Sequence, residues 1–160
     1  FNLYEEFWKI YTKADIIRPQ YISNDAVIDR SLISEGAEIY GEVHNSVIGA
    51  DVIIEEGAIV RGSIIMRHCR IGSGCVIDKA IIAENVTVGN NVVMGEGEEA
   101  LNVLKPAVYS FGLVTIGENS QIPPNVVIGK NTAITGITTP EDYPDGKLAS
   151  GGAIIGKEGE

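Results

Sequence analysis

Residues 48–65 read Ile-Gly-Ala-Asp-Val-Ile-Ile-Glu-Glu-Gly-Ala-Ile-Val-Arg-Gly-Ser-Ile-Ile, and their spacing decides the fold. Aliphatic residues stand six apart at Ile48, Ile54 and Val60, and the next, Ile65, follows after five. The same steps run on through Ile71, Ile77 and Ile82, then Val88 and Met94, so one circuit takes 17 residues. A short side returns in register as Arg30-Ser31-Leu32-Ile33, Asn45-Ser46-Val47-Ile48, Gly62-Ser63-Ile64-Ile65 and Lys79-Ala80-Ile81-Ile82. The serines of the first two are 15 apart, so one corner there is trimmed. The pattern resumes at Ile116, Ile122, Ile128 and Ile134. A fixed internal period is the signature of a solenoid.

Two further columns explain the unit of six. Three residues beyond the aliphatic positions stand Asp25, Gly36, Asp51, Gly57, His68, Gly74, Asn85, Asn91, Asn119, Asn125 and Asn131. These residue types tolerate the positive φ of a tight corner. One residue further on are Ala26, Ala37, Val52, Ala58, Cys69, Cys75, Val86, Val92, Ser120, Val126 and Thr132, mostly small, as a narrow interior requires. The expected fold is all-β: a single-stranded left-handed parallel β-helix of hexapeptide repeats, with five to six coils. A left-handed crossover departs from the usual right-handed rule, so the repeat itself is the warrant.

The domain reading is an N-terminal arm or linker over 1–21 and the β-helix over 22–160, with 95–114 looped out of the stack. Leu3, Tyr4, Phe7, Trp8, Ile10 and Tyr11 suit a short helix or extended arm covering the first coil. The chain starts at Phe1, which suggests a piece of a longer polypeptide. Pro140, Pro144 and several glycines make the segment after Ile134 a loop, with Ala153-Ile154-Ile155 as a returning strand.

A formal net charge of −10 repels phosphate backbones and disfavours a nucleic-acid role. No apolar run reaches the roughly 18 residues of a membrane span. The expected setting is cytoplasmic. Cys69 and Cys75 occupy inward positions and read as buried structural thiols. His44 and His68 are weighed as general bases of an acyltransferase, but no neighbouring carboxylate in the pattern orients either, and an exposed turn histidine is the plainer reading. Arg61, Arg67, Arg70 and Lys79 fall close together and could ring an anion site or simply balance acidic neighbours; Lys147 joins them as a candidate. No phosphate loop, dinucleotide fingerprint or zinc spacing is present, so neither a catalytic nor a metal residue is assigned.

Certain stretches are more specific. Leu3-Tyr4, Trp8-Lys9-Ile10-Tyr11-Thr12, Pro19-Gln20-Tyr21-Ile22, Ser31-Leu32-Ile33-Ser34-Glu35-Gly36, Gly41-Glu42-Val43-His44-Asn45-Ser46-Val47 and Arg61-Gly62-Ser63-Ile64-Ile65-Met66 stand in an order that resembles the C-terminal domain of glucose-1-phosphate adenylyltransferase. That resemblance implies an upstream nucleotidyltransferase domain, holding Mg²⁺ and ATP, that makes ADP-glucose and pyrophosphate from ATP and glucose 1-phosphate for glycogen or starch synthesis. It implies that this chain holds no cofactor and is a regulatory and assembly module of a homo- or hetero-tetramer, acted on by anionic sugar-phosphate effectors. Ser150-Gly151 followed by Lys157 resembles an activator-site stretch, making Lys157 the effector candidate. A second lysine found in an Ile-Ile-x-Lys-Asn run of some members is replaced here by Glu84 in Ile81-Ile82-Ala83-Glu84-Asn85. The rivals are a trimeric acyltransferase using acyl-coenzyme A, the tail of another sugar nucleotidyltransferase, and a stand-alone assembly protein.

Overall fold

The computed structural model describes residues 16–157. Residues 1–15 of the arm expected over 1–21 therefore lie outside the described residues. The first circuit is β1 (Tyr21–Ile22), β2 (Val27–Asp29) and β3 (Leu32–Ile33). The second is β4 (Glu38–Ile39), β5 (Glu42–His44) and β6 (Val47–Ile48), and the third β7 (Ile53–Ile54), β8 (Ile59–Arg61) and β9 (Ile64–Ile65). The fourth is β10 (Arg70–Ile71), β11 (Val76–Asp78) and β12 (Ala80–Ile82), and the fifth β13 (Thr87–Val88), β14 (Val93–Glu96) and β15 (Val114–Ile116). The sixth is β16 (Gln121–Ile122), β17 (Val127–Gly129) and β18 (Thr132–Thr135). After two short 3₁₀ turns, β19 (Lys147–Leu148) and β20 (Ala153–Ile155) add two walls of a seventh.

These strands form three parallel sheets, the walls of a triangular prism. The first face is β1-β4-β7-β10-β13-β16, the second runs from β2 to β19, and the third from β3 to β20. The chain is a left-handed parallel β-helix of hexapeptide repeats. Each face carries one inward aliphatic column: Ile39, Ile54 and Ile71 on the first, Val43, Val60 and Ile77 on the second, Ile48, Ile65 and Ile82 on the third. All nine are fully buried. Burying a side chain of this kind contributes about 1.5–3 kcal/mol.

The corners behave as their residues require. Asp51, His68, Asn85, Asn91, Asn119 and Asn125 have φ between 53° and 62°. Asn85 Nδ2 donates to Asn119 Oδ1 at 3.1 Å, and Asn91 Nδ2 to Asn125 Oδ1 at 3.2 Å, so corner amides also bond along the stack. Asp25 is the exception, because the first corner is not turned by a positive φ there. The edge between the second and third faces is turned by a second set, Arg30, Asn45, Gly62 and Lys79, at φ of 45–53°. An arginine and a lysine do not advertise that conformation, so the pattern did not disclose it.

The insertion between β14 and β15 leaves no gap, since β14 pairs with β17 and β12 with β15. The segment after Ile134 is more ordered than a loop: Lys147 and Leu148 pair with Val127 and Ile128. Tyr143 closes this end of the prism. It is 2% exposed, its hydroxyl lies 2.9 Å from Thr138 Oγ1, and burial raises its pKa. At the other end the inward Ile22 is 41% exposed, because no earlier coil among the described residues covers it.

Candidate functional site

The edge between the second and third faces brings two of the candidate cations together. Arg61 ends β8, in register between His44 and Asp78. Lys79 follows β11, and its amide donates to the Arg61 carbonyl at 3.0 Å. The Lys79 side chain passes over Gly62, close enough that a Cβ there would lie 3.9 Å from Lys79 Cγ. Neither Arg61 nor Lys79 has a carboxylate within 4.0 Å among the described residues. Two neighbouring cations with no carboxylate partner among the described residues suit a polyanionic ligand, through charge-assisted hydrogen bonds.

The other candidates lie elsewhere. Arg67 sits at the corner between the third and first faces, 3.4 Å from Glu84. Arg70 projects from the first face and pairs with Glu55. Ser73 donates to the same carboxylate from its hydroxyl at 2.8 Å and its amide at 3.2 Å. These bonds, Ser73 first, hold the Glu55 pKa below the usual carboxylate range against the opposing effect of burial. Lys147 lies on the second face in the seventh circuit, four strand spacings from Arg61, or about 19 Å. Lys157 makes an antiparallel bridge with Ile137, which itself extends the first face beyond β16. The six residues form no single ring. Their types were legible in the sequence, whereas a prism divides neighbours in sequence among three faces.

Ser150 and Gly151 abut a lysine other than Lys157. Ser150 Oγ accepts from the Lys130 amide at 3.1 Å, and the Gly151 amide donates to the Lys130 carbonyl at 2.8 Å. Sequence reading passed over Lys130, although it lies one residue before the corner residue Asn131. The loop that leaves this edge was also richer than expected. Asn102, 2% exposed, donates to the carbonyls of Asn131 and Gly152 at 2.8 and 3.2 Å. Its Oδ1 accepts from the amides of Leu104 and Lys105 at 2.9 and 3.0 Å. Asn131 reciprocates, donating to the Ala100 carbonyl and accepting from the Gly112 amide.

Both histidines have carboxylate neighbours, which corrects the sequence reading. His44 Nε2 lies 3.2 Å from Glu42 Oε2, and His68 Nδ1 lies 3.7 Å from Asp51 Oδ2. Glu42 and His44 are two apart on one strand and so share its outer face. The two histidines stand on different parts of the prism, His44 on the second face and His68 at the third-to-first corner, and do not converge. Cys69 and Cys75 are 1% and 0% exposed, with Sγ donating to the carbonyls of Ala83 and Gly89. Burial raises both thiol pKa values. Among the described residues no group of three His, Cys, Asp or Glu residues is placed to hold a metal ion.

The family described as "GlmU-like, C-terminal hexapeptide" matches residues 20–103. The chain is 61% identical over 155 residues to the glucose-1-phosphate adenylyltransferase of Lachnospira eligens, covering 97% of this chain and 37% of that protein. The corresponding protein of Thermotoga neapolitana is 47% identical, and that of Acetivibrio thermocellus 40%; they cover 99% and 100% of this chain. The chain thus spans about 37% of the length of these relatives. Among solved structures, the acetyltransferase domain of PglB from Neisseria gonorrhoeae FA1090 superposes with a TM-score of 0.51 at 19% identity, covering 82% of this chain and 54% of that one. That likeness is one of fold.

Proposed function

The chain belongs to the GlmU-like C-terminal hexapeptide family and is homologous over nearly all its length to the C-terminal third of glucose-1-phosphate adenylyltransferases; from that premise we propose that it is the regulatory and assembly module of such an enzyme. The full-length protein joins ATP and glucose 1-phosphate into ADP-glucose, releasing pyrophosphate. Catalysis, with its ATP and Mg²⁺, resides in an upstream nucleotidyltransferase domain, and this chain is not catalytic alone. The observation that carries the reading is the 61% identity sustained over 97% of the chain. A cytoplasmic setting accords with relatives named for a metabolic reaction. Among the described residues no helix is long and apolar enough to cross a membrane.

An anionic sugar-phosphate effector would act by differential contacts that shift the upstream domain between states. Arg61 and Lys79, neighbouring cations without a carboxylate partner among the described residues, support the edge between the second and third faces as one contact. Lys157 is a second candidate, on its resemblance to the activator-site stretch. The test is ADP-glucose formation by the full-length protein, with and without fructose 1,6-bisphosphate and related phosphates. Activity in the full-length protein and none in the 160-residue chain supports the reading. No activity with any activator, together with acyl transfer from coenzyme A, would overturn it.

A further inference from the structure

The chain enters the prism at the corner between the third and first faces, and among the described residues only side chains hold it there. No backbone hydrogen bond ties residues 16–20 to any other described residue; the backbone ladder begins at Tyr21, whose amide donates to the Ala37 carbonyl at 2.8 Å. Pro19 has no amide to give and restricts Arg18 to extended backbone. What remains is one guanidinium and one aliphatic side chain. Arg18 reaches Glu38 Oε1, in the second circuit, at 2.8 Å, and lies 4.0 Å from Asp51 Oδ1 at the corner that opens the third. The two acids are 22% and 30% exposed against 58% for the arginine, so they belong to the prism and Arg18 is the part that can leave.

The prism itself orients both acids. The Tyr40 hydroxyl donates to Glu38 Oε2 at 3.0 Å, which leaves the other oxygen for Arg18. Asp51 turns Oδ2 toward His68 Nδ1, 3.7 Å away in the next circuit, and Oδ1 toward Arg18. Beside them lies Gly36, the corner residue of the second circuit, with φ of 76°. A Cβ on Gly36 would collide with both the Asp51 carboxylate and Ile17 Cγ2, so the missing side chain is the seat in which Ile17 rests. A receptor assembled from successive circuits thus receives residues 17 and 18. Its hold is modest, because an exposed ion pair is weak and salt screens it. Without backbone bonds to add, the segment is poised between held and released.

We propose that residues 16–20 form a releasable strap, fastened by Arg18, that fixes the direction in which the chain enters the prism. In the functional reading above, that direction relates the prism to the upstream domain, and the strap sets how strongly an effector bound at one is felt by the other. This second step rests on that reading, whereas the fastening stands on the geometry alone. Arg18 is a positioning residue: among the described residues it pairs with Glu38 and Asp51 and with none of the effector candidates.

The test is a distance measurement between nitroxide labels on Ile16→Cys and Thr87→Cys, both exposed positions, in the 160-residue chain. The native Cys69 and Cys75 are buried and stay unlabelled. The expected result is a narrow distance distribution. Arg18→Gln should roughly double its width, about 1 M salt should widen it too, and Arg18→Lys should largely preserve it. Arg30→Gln, which removes an exposed arginine paired with Asp29, should leave it narrow. A distribution already broad in the parent chain, or one indifferent to Arg18→Gln, would overturn the strap. In the full-length protein, Arg18→Gln should cut the stimulation of ADP-glucose formation by fructose 1,6-bisphosphate, or by the related phosphate that stimulates the parent, roughly threefold or more. Equal stimulation would overturn the coupling role. No ADP-glucose formation by the full-length parent would overturn the functional reading and the coupling with it, while the label distances still decide the strap.

Discussion

The Ser46 hydroxyl accepts the amide hydrogen of Ser63 across one circuit at 3.1 Å while donating to the His44 carbonyl at 2.8 Å. Ser31 makes the same reach to the Ser46 amide, and Ser63 to the Ala80 amide at 2.9 Å. A ladder of hydroxyls therefore runs inside one edge of the prism and satisfies amides that no sheet bond reaches.

Ser63→Ala should destabilise the fold by about 1–3 kcal/mol, because it strands the buried Ala80 amide and removes a donor from the Arg61 carbonyl. Ser31→Ala should cost less, since Ser31 lies in the more open first coil. Urea denaturation of the two variants compares them; equal losses would remove the ladder's buried part as the cause.

Asn102→Ala deletes four hydrogen bonds that fasten the loop between β14 and β15 to the stack. Amide exchange over residues 97–113 should accelerate by at least tenfold, with protection of β11 and β12 unchanged. Unchanged exchange in the loop would mean that its backbone contacts suffice.

Glu55 contributes a pH-dependent share of stability. Its folded pKa is lowered, so the contribution is present above the unfolded value of about 4.3 and is lost as the pH falls through the folded value. Wild type should lose stability more steeply than Glu55→Gln from about pH 5 downward. Parallel stability curves over that range would show that Ser73 and Arg70 do not favour the carboxylate.

Cys69 and Cys75 should resist maleimide in the native protein and react only as fast as the chain opens. Their burial and raised pKa values both keep the thiolate scarce. Rapid labelling of either thiol without denaturant would contradict the burial of that corner.

In the full-length protein, Lys157→Ala should raise the effector concentration needed for activation without changing the unactivated rate. Arg61→Ala with Lys79→Ala should do the same if the effector meets the edge between the second and third faces. Superimposable activation curves would remove the substituted residue from the effector site.

Sequence alone determined the coil. Ile at intervals of six and five, Asn, Asp and Gly at the corners, and small residues beside them leave few other ways to bury the aliphatics and turn the chain. Its repeat is local, and each circuit sees only its neighbours, so the one-dimensional pattern carries the information. Tertiary structure decided what the repeat does not encode. It divided Arg61, Arg67 and Arg70 among separate places, gave His68 the carboxylate of Asp51, and fastened Asn102 to Asn131. It also gathered onto one face the uncharged positions of seven strands. Those relationships join residues by stacking across circuits, and their partners are chosen by the wall and the level each residue occupies rather than by its place in the repeat.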